Sequence, residues 1–119
     1  LEGLSKLSKE RIIKVLKGFG FSNIDTQVYV FLAIKGPHNV REITVALNLH
    51  ENKVYGSLKD LESIEIVKAS IEYPLEFIAL PFEELLDLFI EVKKEQAKTM
   101  EETKDELLFQ WKAIIKKNS

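Results

Sequence analysis

The sequence contains no cysteine. Disulfides and thiolate metal sites are therefore excluded. Histidine is nearly absent, with His38 and His50 alone, which excludes a histidine-rich metal site as well. No apolar run approaches the ~18 residues of a membrane span, and no secretory signal pattern is visible. No membrane partner is expected, and the expected compartment is the cytoplasm. A glycine-rich phosphate loop is missing too. Acids cluster at Glu101, Glu102, Asp105 and Glu106, but no histidine or nucleophile is placed to use them. They read as a solubilising helix face. The chain is expected to be no enzyme, to need no cofactor and to take no small-molecule ligand.

A strong positive charge is also lacking. The net charge is −2 over 119 residues, in a composition that is 45% hydrophobic and 30% charged, as in a folded soluble protein. The distribution says more than the sum. Residues 1–17 carry five basic and two acidic side chains. Residues 18–81 carry five basic and eight acidic ones, and residues 82–119 carry seven basic and nine acidic. The middle of the chain is thus the most acidic part, against the usual footprint of a nucleic-acid binder.

What is present is helical periodicity with a break for one hairpin. Residues 5–17 place Ile12, Val15 and Leu16 on one face, with Leu4 and Leu7 before them, and Gly18 and Gly20 interrupt the pattern. Ser22-x-x-Asp25 resembles a capping box and opens a second helix, which Gly36-Pro37 stops. Residues 40–47 make a short third helix, and Asn48 suits the left-handed turn after it. A fourth helix, at about 51–64, points Val54, Leu58 and Leu61 inward. Residues 66–72 and 75–80 are rich in β-formers and flank Tyr73-Pro74, which predicts a hairpin.

Pro81, with Glu83 and Glu84 behind it, starts a last helix from Phe82 to about Lys116. At ~1.5 Å per residue it would be roughly 50 Å long. Its apolar stripe runs through Phe82, Leu85, Phe89, Val92, Gln96, Met100, Thr103, Leu107, Trp111 and Ile114. From Phe89 to Met100 to Trp111 the repeat is eleven residues, which predicts a nearly straight or slightly right-handed pairing. Glu91–Lys94, Glu95–Lys98 and Glu101–Lys104 are spaced for pairs along the helix surface. The apolar ends of this stripe need a partner, either a second chain or the body of the domain.

The predicted fold class is mainly α with a small β-hairpin: a winged helix-turn-helix with an extra N-terminal helix over 1–81, followed by a long coiled-coil helix over 82–119 for dimerisation. Several residues carry a resemblance beyond this order of elements. They are Gly20-Phe21-Ser22, Val28-Tyr29, Leu32, Gly36-Pro37, Glu42-Ile43, Lys53-Val54-Tyr55, Leu58, Leu61-Glu62 and Ile66-Val67. In these the stretch of about 10–81 resembles the N-terminal domain of the TrmB-like archaeal transcriptional regulators. The departures are Asn48 for a turn glycine, His50 for a proline, Glu51 for a small or basic residue, and no glycine in "SIEIV" entering the wing. Many such regulators carry a C-terminal sugar-binding domain; the expectation here is a regulator without one.

The resemblance implies a homodimeric regulator that binds double-stranded DNA. The fourth helix would enter the major groove, where the N-terminal residues of a recognition helix reach base edges. That nominates His50, Glu51, Asn52 and Lys53, with Gly56 allowing close approach. Lys59, Arg41 and Lys35 are candidate phosphate contacts, and Lys6, Lys9, Arg11 and Lys14 a basic face beyond them. Tyr55 is expected in the core or an interface. Phe89, Val92, Met100, Leu107, Trp111 and Ile114 are the dimerisation residues. The alternative is a winged-helix protein-interaction module that does not bind DNA, favoured by the acidic 18–81 region and a wing, "KASIEYPLEF", with one Lys and two Glu. A protein that coats DNA without sequence preference needs more positive charge than the chain has.

Overall fold

A computed structural model describes residues 2–118, and their side chains from Lys6 onward. The expected packing of Leu4 lies outside the described side chains. The chain forms α1 (Glu2–Gly18), α2 (Asn23–Lys35), α3 (Val40–Leu47), α4 (Glu51–Ser63), β1 (Val67–Ala69), β2 (Phe77–Ala79) and α5 (Phe82–Asn118). This is the mainly helical, winged-helix order that the sequence predicts. The chain divides into two compact units, one running through Leu85 and the other starting at Leu86.

Each short helix of the first unit has a local reason to start and stop. The Ser22 hydroxyl accepts from the Asp25 amide at 3.0 Å, and the Asp25 carboxylate accepts from the Ser22 amide at 3.1 Å. This reciprocal cap satisfies two amides that the first turn of α2 leaves without partners. Gly36 closes α2 at φ 86°, a conformation that side-chain-bearing residues avoid. The same device opens α3: Asn39 Oδ1 accepts from the Glu42 amide at 2.8 Å, and Glu42 Oε1 accepts from the Asn39 amide at 2.9 Å. Asn48 ends α3 in the left-handed region, at φ 53° and ψ 51°.

The core of this unit is one apolar cluster. Leu16 from α1, Val28, Tyr29 and Leu32 from α2, Ile43 from α3, and Val54, Leu58 and Leu61 from α4 are all buried. Val67, Phe77 and Leu85 close it from the hairpin and the first turn of α5. Full burial of one such side chain contributes about 1.5–3 kcal/mol. Tyr29 adds a polar tie across 51 residues, donating its hydroxyl to the Leu80 carbonyl at 2.6 Å. Burial pushes its pKa up to about 12.

The hairpin is shorter than the two runs the sequence predicts. β1 and β2 pair antiparallel for three residues only, Val67 with Ala79, Lys68 with Ile78 and Ala69 with Phe77. Ser70 ends the ladder. Its hydroxyl accepts from the Glu76 amide at 2.9 Å and donates towards the Glu72 and Pro74 carbonyls at 3.1 and 3.2 Å. Residues 71–75 therefore form a tip, with a cis peptide at Tyr73–Pro74. His38 pairs with Phe77 on the other side of β2 through two backbone hydrogen bonds of 3.3 and 2.8 Å. The entry to the wing is taken by Glu65, which adopts φ 63° where the family pattern has glycine.

The second unit is helical to Asn118. Its exposed face includes Val92, Met100, Leu107, Trp111 and Ile114, with Met100 61% and Trp111 58% exposed. Phe89 differs from them: at 6% exposure it has little surface left to offer a partner. Glu91 and Lys94 form one of the expected surface pairs at 3.8 Å. Among the described residues no helix is long and apolar enough to cross a membrane.

Candidate nucleic-acid interface

The fourth helix is held from beneath and left open above. Val54, Leu58 and Leu61 are at most 1% exposed. Ser57 shares their side of the helix and is buried, and its hydroxyl donates to Asp25 Oδ1 at 2.7 Å. Asp25 therefore caps α2 with one oxygen and accepts from α4 with the other. The rotation of α4 about its own axis is fixed by this bond together with the apolar face.

That rotation turns Asn52, Gly56, Lys59 and Ser63 outward, all of them exposed. Asn52, Lys53 and Gly56 meet Ser22, Ile24, Asp25, Ser57 and Asp60 around one shallow depression between α4 and the start of α2. A Cβ added at Gly56 would have nothing within 4 Å, so packing does not demand glycine there. His50 precedes the helix in an extended conformation and makes no side-chain cap. Its carbonyl accepts from the Lys53 and Val54 amides at 3.0 and 3.1 Å. Glu51 is exposed in the first turn.

Lys59 is already engaged. Its ammonium lies 3.3 Å from Glu62 Oε1 and 5.4 Å from the centre of the Tyr55 ring. The hydrogen bond and the charge of Glu62 raise its pKa further above the ordinary lysine value. Tyr55, expected in the core or an interface, is half exposed and so lies outside the core, beside Lys59 on the outer flank of α4. The signal was available, because Tyr55 stands one position past the inward Val54 and four before Lys59.

The other nominated bases lie elsewhere in the unit. Arg41 is exposed at the start of α3, beside a depression lined by Phe31, His38, Glu42 and Val45. Lys35 borders a third depression with Lys9, Ile13, Val30 and Leu47. The structure gathers Asn52, Lys53 and Gly56 in one place and leaves Arg41 and Lys35 around two other depressions. It also adds two acids to that place, Asp25 and Asp60. Asp25 reaches it only through the tertiary pairing of α2 with α4, which no local pattern encodes.

The wing carries little positive charge. Lys68 is its one base, and the tip exposes Ile71, Tyr73 and Leu75 around Glu72.

Comparison with known proteins gives the fold a family. The structure resembles TrmBL2, described as an archaeal chromatin protein, with a TM-score of 0.65 at 20% identity, covering 91% of this chain and 44% of that one. It resembles the transcriptional regulator Tm0710 from Thermotoga maritima with a TM-score of 0.59 at 19% identity, covering 99% of this chain and 93% of that one. A MarR family protein from Bacillus stearothermophilus matches with a TM-score of 0.54 at 16% identity, covering 98% and 85%. At these identities the likeness is one of fold. Comparison with curated proteins returned no match. The model of the family described as "Sugar-specific transcriptional regulator TrmB" matches residues 16–83, more than half of the sequence and all of the winged-helix core from the end of α1 to the start of α5, and the chain belongs to that family.

Proposed function

We propose that the chain is a homodimeric, winged-helix DNA-binding regulator that places α4 in the major groove of a two-fold site. The observation that carries this reading is the fixed outward presentation of Asn52, Lys53 and Gly56 on a helix locked by the Ser57–Asp25 bond. Asn can pair with adenine at two points, Lys can donate to guanine, and the Glu51 carboxylate can accept from the cytosine amino group. TrmBL2, of the same fold, is described as showing a novel mode of DNA binding, and Tm0710 as a transcriptional regulator. Both descriptions support a DNA-binding regulator. Dimerisation would run through the exposed stripe of α5 from Val92 to Ile114. Half-sites would then lie about one helical turn apart, roughly 10 bp, or a multiple of it. Lys59, Arg41, Lys35 and the basic face of α1 would supply phosphate contacts. The protein would act in the cytoplasm and without catalysis.

A second reading has its own observation. Glu51 is exposed in the first turn of α4, Asp25 and Asp60 line the depression beside Asn52 and Lys53, and the wing tip offers Ile71, Tyr73 and Leu75 in place of bases. That surface suits a protein partner better than a polyanion. Fluorescence anisotropy with genomic and random duplexes across salt separates the two. Sequence-selective binding that weakens steeply with salt supports DNA recognition. No binding at low salt would eliminate it and leave the interaction module.

A further inference from the structure

We infer that the C-terminal helices of two copies of this chain pair in parallel and in register. The inference rests on the homodimer proposed above and adds its orientation. Its basis is an asymmetry in charge between the two flanks of the exposed stripe on α5.

The stripe is exposed at Val92, Gln96, Met100, Leu107, Trp111 and Ile114 and part-exposed at Thr103, and it continues the repeat of the buried Phe89. On an α-helix each residue is turned about 100° from the one before it. The residue after each stripe position therefore lies on one flank, and the residue before it on the other. The following flank carries Lys93, Lys104 and Lys112, with Glu101 as its single acid. The preceding flank carries Glu91, Glu95, Glu102 and Glu106 and no base. The lysines at 93 and 104 and the glutamates at 95 and 106 repeat at the same eleven residues as Phe89, Met100 and Trp111. A solvated face has no reason to sort its charges by flank in step with the apolar repeat.

The sorting has opposite consequences in the two possible dimers. In a parallel pair the following flank of each helix faces the preceding flank of the other. Lys93 then stands across from Glu95 of the second copy, and Lys104 across from Glu106, each two residues or about 3 Å apart in height. This happens on both sides of the seam. In an antiparallel pair each flank faces its own kind, so the glutamate flank of one copy would lie along the glutamate flank of the other. Flanking charges of this sort set partner orientation in paired helices. The acids at Glu83, Glu84 and Asp87 and the bases at Lys116 and Lys117 do not enter the argument. They sit where the helix dipole draws them in either arrangement.

A parallel pair would have the two winged-helix units leave it at the same end. The absence of native cysteine makes the orientation directly testable. Gln96 and Ile114 are eighteen residues apart, five helical turns, so they share a face about 27 Å apart. Gln96→Cys and Ile114→Cys are made separately in the full chain and oxidised mildly at a concentration where light scattering reports a dimer. A disulfide needs Cα atoms roughly 4.4–6.8 Å apart. A parallel, in-register pair cross-links both variants, while Lys98→Cys, turned to the far side, stays uncoupled. An antiparallel pair can bring at most one of the two positions onto its own copy. A dimer that cross-links at one position or neither overturns the orientation and leaves the dimer standing. A monomer mass overturns the dimer itself. The double change Glu95→Lys with Glu106→Lys gives a second readout of opposite sign. It weakens a parallel dimer several-fold and tightens an antiparallel one.

Discussion

The Ser57 hydroxyl and the Asp25 carboxylate are 2.7 Å apart, and the bond between them joins α4 to the N-terminal cap of α2. Removing the hydroxyl leaves a partly buried carboxylate oxygen without its donor. Ser57→Ala should cost about 1–2 kcal/mol, seen as a lower urea midpoint at unchanged slope. Asp25→Ala removes both the cap and the bond, and should cost more, about 2–3 kcal/mol. Equal midpoints for the two variants would show that the cap adds nothing beyond the bond, whereas an unchanged midpoint for Ser57→Ala would show that Asp25 acts as a cap alone.

Glu51 is the acid closest to where bases would be read. If α4 reads DNA, Glu51→Gln should relax preference at one base pair by about 1–3 kcal/mol, or roughly 5- to 150-fold. Competition anisotropy with single-base variants of the site measures it. If Glu51 only repels phosphate, the same variant tightens all duplexes alike.

Glu62 restrains Lys59 at 3.3 Å and so withholds one positive charge from a polyanion. Glu62→Gln should strengthen DNA binding at low salt and steepen the slope of affinity against salt by about one ion. The pair is exposed, so the folded state should lose little stability. An unchanged salt slope would mean that Lys59 stands away from the DNA.

Tyr29 sets a limit at alkaline pH. Its pKa of about 12 in the folded chain lies above the ordinary tyrosine value of about 10, because burial disfavours the phenolate. The unfolded chain therefore gives up this proton first. Stability is intact below about pH 10 and falls as the pH climbs through 12, by about 3 kcal/mol in all. Tyr29→Phe should abolish that fall, at a cost of about 1 kcal/mol near neutrality for the lost bond to Leu80. Urea melts from pH 8 to 11.5 test both halves.

Glu65 holds a left-handed backbone at φ 63°. That conformation costs a side-chain-bearing residue roughly 1–2 kcal/mol, and glycine offsets part of the gain by its freer unfolded state. Glu65→Gly should raise stability by up to about 1 kcal/mol. A drop in the thermal midpoint would show that the Glu65 side chain contributes more than its backbone costs.

These residues also show where sequence reading succeeds and where it stops. The limits of α3 and the left-handed Asn48 follow from local chemistry, and the structure has both. The Ser22–Asp25 cap is equally local, and its pattern is visible in the sequence. Asn39 and Glu42 stand at the same spacing and form the same box, so that cap was legible too. The strands came out shorter because Ser70 turns the chain by hydrogen bonds to its own loop, which β-propensity does not register. The His38–Phe77 bridge pairs single residues 39 apart and leaves no periodic trace. In the site, the inward face of α4 was readable from spacing. The presence of Asp25 beside it was not, since that depends on how α2 and α4 cross. The missing glycine at the wing entry could be read, but not that Glu65 would take up its conformation unaided.

Gly56 has open space where a side chain would begin. At most positions of a binding helix a new residue must be reconciled with the packing beneath it. Here an alanine would strengthen the helix by about 1 kcal/mol, and a longer side chain would start outward beside Asn52 and Lys53. Under the proposed DNA-binding role, in which the bare backbone at Gly56 lets α4 approach a groove closely, the same side chain would hold the helix back, so glycine at residue 56 exchanges helix strength for access.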